Sequence, residues 1–217
     1  HDDWEKLYID NTNYAALNQF TVEVIAELLG GHTRNRKGSA VHRFFGAATE
    51  DGAKDHIPNL TEGIGKRYFI KGRPGTGKST FLKKVAERAV VNGFDAEVYH
   101  CAFDPGSIDM VAVRELNFCL FDSTAPHEYF PERDSDEVLD FYKLSVKPGT
   151  DEKYSEQLTV FQLKYKAKME EARLEIGGAN QIRLERESLL ESSVNREKFA
   201  GVLDKIEKKL FYMGYQM

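Results

Sequence analysis

Gly72-Arg73-Pro74-Gly75-Thr76-Gly77-Lys78-Ser79 is the stretch from which the rest of the chain can be ordered. Just before it, residues 67–70 read as a short buried strand. Just after it, residues 79–91 put Phe81, Leu82, Val85 and Ala89 on one helical face, and Asn92-Gly93 stops the helix. A strand that runs through glycines into a helix is built for anions. Glycine allows positive φ and lets the backbone approach a ligand without a Cβ clash. Successive N–H groups then converge beside a helix N-terminus whose dipole favours negative charge. The spacing matches Gly-x-x-x-x-Gly-Lys-Ser/Thr in full, the Walker A pattern. The expectation is a nucleoside triphosphate, ATP with Mg2+, cradled by Gly72, Arg73, Pro74, Gly75, Thr76, Gly77, Lys78, Ser79 and Thr80. Lys78 is expected on the β- and γ-phosphates, as a catalytic cation, and the Ser79 hydroxyl on the metal.

Working outward, residues 41–48, 96–100 and 118–121 read as further strands. Strands alternating with helical segments predict crossover units, hence an α/β fold with a P-loop NTPase-like parallel sheet flanked by helices. The strand 118–121 ends at Asp122, the candidate second metal ligand and catalytic carboxylate, with a turn or helix-cap role as its alternative. Ser123 follows it where many ATPases carry a glutamate base, which predicts slow hydrolysis. Asp104, beyond the strand 96–100, is the third catalytic candidate. Asp109, Glu115, His127, Glu128 and Arg133 are further polar groups near that edge, each with a surface or turn role as the alternative. Two prolines and three aromatics in 124–133 predict a structured loop. The two cysteines, Cys101 and Cys119, read as small buried hydrophobes.

Residues 1–29 predict two helices broken near Asn11-Thr12-Asn13, residues 30–40 a linker, residues 41–150 the nucleotide-binding core, and residues 151–217 a long helical arm. Arg34, Arg36 and Lys37 of the linker suit a solvated loop, with phosphate contact as the alternative. In the arm, Tyr154, Leu158, Phe161, Tyr165, Met169, Ala172 and Ile176 form an apolar stripe at helical spacing, resumed by Phe199, Leu203, Ile206 and Leu210. This predicts a packing seam against the N-terminal helices or a second copy of the chain, with a break at Gly177-Gly178. The chain opens on His1 and runs directly into a helical pattern, so a fragment of something longer is expected.

A hydrophobic fraction of 41% supports a sizeable core, and 30% charged residues suit a surface in water. The net charge of −5 argues against a nucleic-acid partner, which calls for a basic face. No apolar run is long enough for a membrane span, and the N-terminus lacks the layout of a signal peptide, so a cytoplasmic location is expected.

The run Tyr68-Phe69-Ile70-Lys71-Gly72-Arg73-Pro74-Gly75-Thr76-Gly77-Lys78-Ser79-Thr80 is joined by Tyr99-His100-Cys101 and Asp104-Pro105-Gly106-Ser107-Ile108-Asp109. With Phe121-Asp122-Ser123-Thr124-Ala125-Pro126-His127, these blocks resemble a family of tandem P-loop proteins found mainly in Gram-positive bacteria and described only as ATPases or nucleotide-binding proteins of unassigned role. The resemblance covers roughly residues 40–170, and the Cys-x-x-Asp-Pro-x-Ser and Asp-Ser-Thr-Ala-Pro-His blocks are its most specific parts. It implies that this chain is the second of two P-loop halves, with the neighbouring half as an intramolecular partner.

Three functions are compatible with these residues. The first is a Mg2+-dependent ATP-binding protein with weak ATPase activity, a water being held by Asp104 or His127. The second is a small-molecule or nucleotide kinase with Asp104 on the acceptor hydroxyl and Arg133 in a lid. The third is a nucleotide-dependent interaction module without turnover.

Overall fold

A computed structural model describes residues 2–214; His1 and the last three residues of the expected arm lie outside the described residues. The strands are β1 (Ala40–Phe44), β2 (Gly46–Thr49), β3 (Gly52–Asp55), β4 (Lys66–Lys71), β5 (Ala96–His100), β6 (Ile108–Val113), β7 (Phe118–Asp122) and β8 (Glu137–Asp140), and only β4 stands between two helices. The helices are α1 (Asp2–Ile9), α2 (Tyr14–Leu29), α3 (Ile57–Leu60), α4 (Lys78–Val91), α5 (Phe141–Ser145), α6 (Thr150–Lys153), α7 (Ser155–Ser193) and α8 (Arg196–Gly214). Six strands form one sheet in the order β1-β5-β6-β7-β4-β8, and β2 pairs with β3 in a separate hairpin. The fold is therefore α/β, with a mostly parallel sheet flanked by helices and a long helix toward the C-terminus.

Side chains alternate across β4. Tyr68 and Ile70 join one core with Leu17, Val24 and Leu29 of α2 and Phe81, Leu82 and Val85 of α4. Phe69 faces the other way, into a second core with Phe45, Ile57, Tyr99, Met110, Cys119 and Phe121. Burying each such side chain stabilises the fold by roughly 1.5–3 kcal/mol, so the sheet centre is rigid and its C-terminal edge is a fixed platform. Asn13 breaks the N-terminal helices as expected: its side chain accepts from the Ala16 N–H at 3.1 Å and caps α2.

Three expectations need correction. The sheet is not wholly parallel: β6 runs antiparallel to both β5 and β7. The connection from β6 to β7 is one short turn (Arg114–Leu116) closed by Asn117 in the left-handed region, too short for the crossover that parallel strands require. β6 is buried along its whole length, so it carries no alternation to announce it. The expected strand 41–48 is cut at Phe45, which is buried and donates its N–H to His100 O at 2.8 Å; Gly46–Thr49 then leaves the sheet for the hairpin. The expected break at Gly177-Gly178 does not occur, since α7 runs through both glycines to Ser193 and the interruption comes at Val194-Asn195.

The divisions also differ from the expected ones. Residues up to Arg173 form one compact unit, and those from Leu174 on form a second. Residues 30–40 are exposed apart from Gly38, as a solvated loop would be, and their arginines tie them to the first unit. Arg34 lies over the Phe94 ring and pairs with Glu115, while Arg36 pairs with Asp95 and Glu115. The early stripe of α7 also belongs to the first unit: Leu158 is buried with Leu7, Tyr8 and Val146, and Tyr165 meets Trp4 edge-on at 6.0 Å. No helix among the described residues is long and apolar enough to cross a membrane.

Candidate functional site

β4 ends at Lys71, and the chain then turns through the glycine-rich loop into α4. The loop holds its shape because Gly75 and Gly77 take φ values of 75° and 85°, which only glycine adopts freely. Both are also crowded: a Cβ on Gly75 would lie 2.6 Å from Glu5 O of α1, and one on Gly77 would lie 2.6 Å from Leu17 Cδ2 of α2. Thr76 is buried and its hydroxyl donates to Arg73 O at 2.7 Å, bracing the turn. Gly77 caps α4 without any side-chain hydrogen bond. The first-turn N–H groups of α4 therefore lack an intrahelical acceptor.

Lys78 folds back into this loop. Its side chain is only 10% exposed, and Nζ donates to Arg73 O at 2.9 Å and lies 3.5 Å from Asp122 Oδ2. Asp122 reaches that point because β7 pairs parallel with β4, Asp122 beside Ile70. Its other oxygen accepts from the Thr124 N–H at 3.0 Å and the Thr124 hydroxyl at 2.5 Å. Ser79 Oγ accepts from the Ile108 N–H at 2.8 Å, which ties the first turn of α4 to the start of β6. Continuing the β6–β7 register by one residue sets Asp109 beside Asp122. Asp109 is buried, and burial pushes its carboxyl up to about 6; the Asp122 charge adds to the rise, while the Cys101 thiol opposes it. Burial and Asp109 push the Cys101 thiol up to about 11; Cys101 is half-buried, and only Cys119 lies in the core as the sequence reading expected.

The sequence candidates therefore separate. Lys78, Ser79 and Asp122 come together with Asp109 at the C-terminal edge of β4 and β7. Asp104 does not join them: it is exposed in the turn after β5, its Oδ1 accepting from the Gly106 N–H at 3.0 Å. Among the described residues it makes no hydrogen bond or ion pair to Lys78, Ser79 or Asp122. Arg73 points out of the loop to Asp151, at 2.7 Å, with Tyr142 beneath it. Arg133 is at the wrong end: it donates to Ile64 O at 2.9 Å, just before β4 begins, so it forms no lid over the loop. Glu115 holds Arg34 and Arg36. Glu128 lies 3.5 Å from Lys71 Nζ, which also bonds Ser123 O and Tyr129 O. These bonds and those of Ser123 make the segment 123–130 a tied loop, as its composition suggests.

Two further features were not visible in the sequence. Asp55, at the end of the hairpin, receives His127 Nδ1 on one oxygen at 2.6 Å and the Tyr129 hydroxyl on the other at 2.8 Å. Against burial, which would raise it, hydrogen bonds from the Ile57 N–H, His127 and Tyr129 hold the Asp55 carboxyl below its ordinary value. No local pattern marks Asp55, because its side-chain partners His127 and Tyr129 lie more than 70 residues away along the chain. The covering of the loop by α1 and α2 is likewise a tertiary feature. Among the described residues no three His, Cys, Asp or Glu side chains cluster as a preformed metal cage. Comparison of the chain with protein-family models, with curated proteins and with solved structures gave no match.

Proposed function

We propose that loop 72–79 is a P-loop that binds ATP with Mg2+, and that the chain hydrolyses ATP slowly. The observation that carries this reading is the placement of Lys78. Its ammonium is tucked inside a glycine-built turn, satisfied among the described residues by a loop carbonyl and by the carboxylate at the end of the adjacent parallel strand. An entering phosphate would take over those contacts with stronger, charge-assisted hydrogen bonds. The uncapped N–H groups of α4 and the helix dipole would meet the same oxygens. Ser79 Oγ and the Asp122 carboxylate are hard oxygen donors of the kind Mg2+ prefers, with Asp109 beside them. The ion, when bound, would neutralise charge on the phosphates.

Slow turnover follows from what surrounds the loop. Arg73 is committed to Asp151 and Arg133 to the far end of β4, so neither is aimed at a phosphate. An arginine at the transferred phosphoryl group is worth about 10³–10⁵-fold in rate. A neighbouring P-loop half would be the natural source of one.

Calorimetric titration with ATP, with Mg2+ and with EDTA, tests the reading. Lys78→Ala is expected to weaken ATP binding about 100-fold, the loss of roughly 3 kcal/mol of charge-assisted contact, with an unchanged circular dichroism spectrum. Asp122→Asn is expected to abolish the benefit of Mg2+ while leaving binding in EDTA intact. Unchanged affinity in Lys78→Ala would exclude the loop as the nucleotide site.

A further inference from the structure

If loop 72–79 holds ATP, the nucleophile that attacks its γ-phosphate needs a base. The position after Asp122 cannot supply one. Ser123 is buried, and its hydroxyl is consumed by the Tyr129 backbone, donating to the carbonyl at 2.7 Å and accepting from the N–H at 3.1 Å. The same loop, however, presents a different group. Thr124 binds Asp122 with its N–H and hydroxyl, and the Thr124 carbonyl accepts from the His127 N–H at 3.0 Å. His127 is thus two hydrogen-bonded links from the carboxylate beside Lys78. The His127 ring meets Phe45, whose N–H bonds the carbonyl of His100 at the C-terminal end of β5, the sheet edge at which Asp122 ends β7.

The imidazole is also fixed in orientation and tautomer. The side chains of His127 and Asp55 are about nine-tenths buried, and the ring stands edge-on to Phe45 with centroids 5.1 Å apart. Asp55 accepts at Nδ1, so that nitrogen carries the proton and, in the neutral ring, Nε2 carries the lone pair. Nε2 makes no hydrogen bond among the described residues. Asp55 cannot turn away, because Tyr129 and the Ile57 N–H hold its other oxygen at 2.8 and 3.1 Å. A buried imidazole oriented by a buried carboxylate, with its second nitrogen open, is an arrangement suited to removing a proton from an attacking hydroxyl.

We propose that His127 is the general base of this site, positioned by Asp55, in place of the glutamate that Ser123 displaces. The inference rests on the P-loop reading given above. A water oxygen attacks the γ-phosphorus, and its proton passes to His127 Nε2. The bond from that phosphorus to the bridging oxygen breaks with its electron pair leaving on ADP. The imidazolium then faces the Asp55 carboxylate through its Nδ1 proton, and returns the Nε2 proton to solvent after inorganic phosphate departs. Asp55 touches no reacting atom and is a positioning residue.

The test measures Mg-ATP affinity by calorimetry and phosphate release under single-turnover and steady-state conditions, in the full chain. His127→Gln is expected to keep affinity within about twofold and to lose about 100-fold or more in release, the usual weight of a general base. His127→Ala is expected to lose as much and to regain release on addition of free imidazole, a rescue that a structural role would not produce. Asp55→Asn is expected to lower kcat with KM unchanged. Equal release by wild type and His127→Gln overturns the proposal, as does a parallel loss of affinity and release without imidazole rescue. ATP binding by the wild type with no release at all also overturns it, while leaving the P-loop reading intact. Absence of ATP binding by the wild type brings down the P-loop reading itself, and this inference with it.

Discussion

Helices α2 and α8 carry the same kind of apolar stripe and meet different fates. In α2, Leu17, Val24 and Leu29 are buried against the α4 face of the sheet. In α8, Phe199, Leu203, Ile206 and Leu210 also recur at helical spacing, and all four are exposed. The contrast also runs within one helix: Leu158 of α7 is buried in the first unit, whereas Leu174, Ile182, Leu189 and Leu190 are exposed in the second. Helical spacing collects apolar side chains on one face. It does not supply the surface that buries them. In the first unit the sheet supplies it; among the described residues from Leu174 on, no sheet is present.

Mutations at matched positions sharpen this contrast. The largest effect is expected at Phe81, which is 1% exposed and packs against Phe141 at a ring separation of 5.2 Å. Phe81→Ala should cost about 3–5 kcal/mol in urea unfolding, the transfer term plus a cavity. A cost below about 1 kcal/mol would mean that the first unit is no better packed than the arm.

A second comparison sets a buried ion pair against an exposed one. Arg67 and Asp136, side chains 8% and 0% exposed, meet at 2.6 Å, and the Glu132 and Arg133 N–H groups add to the bonds on Asp136. In the arm, Arg183 and Glu187 also meet at 2.6 Å, but at 51% and 45% exposure. Asp136→Ala leaves a buried guanidinium unpaired and should cost about 3 kcal/mol. Glu187→Ala should cost about 0.3–0.5 kcal/mol. The pair also predicts a pH dependence. The Arg67 guanidinium holds the Asp136 carboxyl well below the usual carboxylate range. The unfolded chain therefore takes up that proton first, so the contribution is complete above the ordinary aspartate value of about 4 and shrinks as pH falls below it. Wild type should lose stability through that window, and Asp136→Ala should lose less; parallel pH curves would show that the pair does not stabilise the fold.

The smallest effect is expected in α8. Leu203 is 44% exposed, so Leu203→Ala should change stability by less than about 0.5 kcal/mol at any protein concentration. A larger loss that grows with protein concentration would break the contrast, because a second copy of the chain would then be burying the stripe.

Local chemistry was legible where the chain determines it over a few residues. Positions 72–79 need positive φ at Gly75 and Gly77, a lysine at Lys78 and a hydroxyl at Ser79, and the flanking strand and helix are marked by short-range patterns. Asn13 could be read as a break, and Asp122 as a strand end, for the same reason. Neither β6 nor its direction was legible, since residues 108–113 were not among the expected strands. A continuously buried strand has no alternation, and parallel or antiparallel pairing is decided by connection length and neighbouring strands. Arg133 lies eleven residues beyond Asp122 in sequence, yet it serves the opposite end of β4, because a chain crossing one sheet edge to edge separates sequence neighbours by a strand length.

What the sequence by itself determined is the glycine-rich turn, the strand before it, the helix after it and the acidic end of a second strand. What only the tertiary structure decided is the company these residues keep. Asp55 and His127 are 72 positions apart and Arg67 and Asp136 are 69 apart. Each pair exists only because sheet order and the hairpin after β1 bring the two positions within hydrogen-bonding distance. Hydrogen bonds and ion pairs act over a few ångströms, whereas sequence patterns report spacing along one element, so partners on different elements leave no mark in either segment alone.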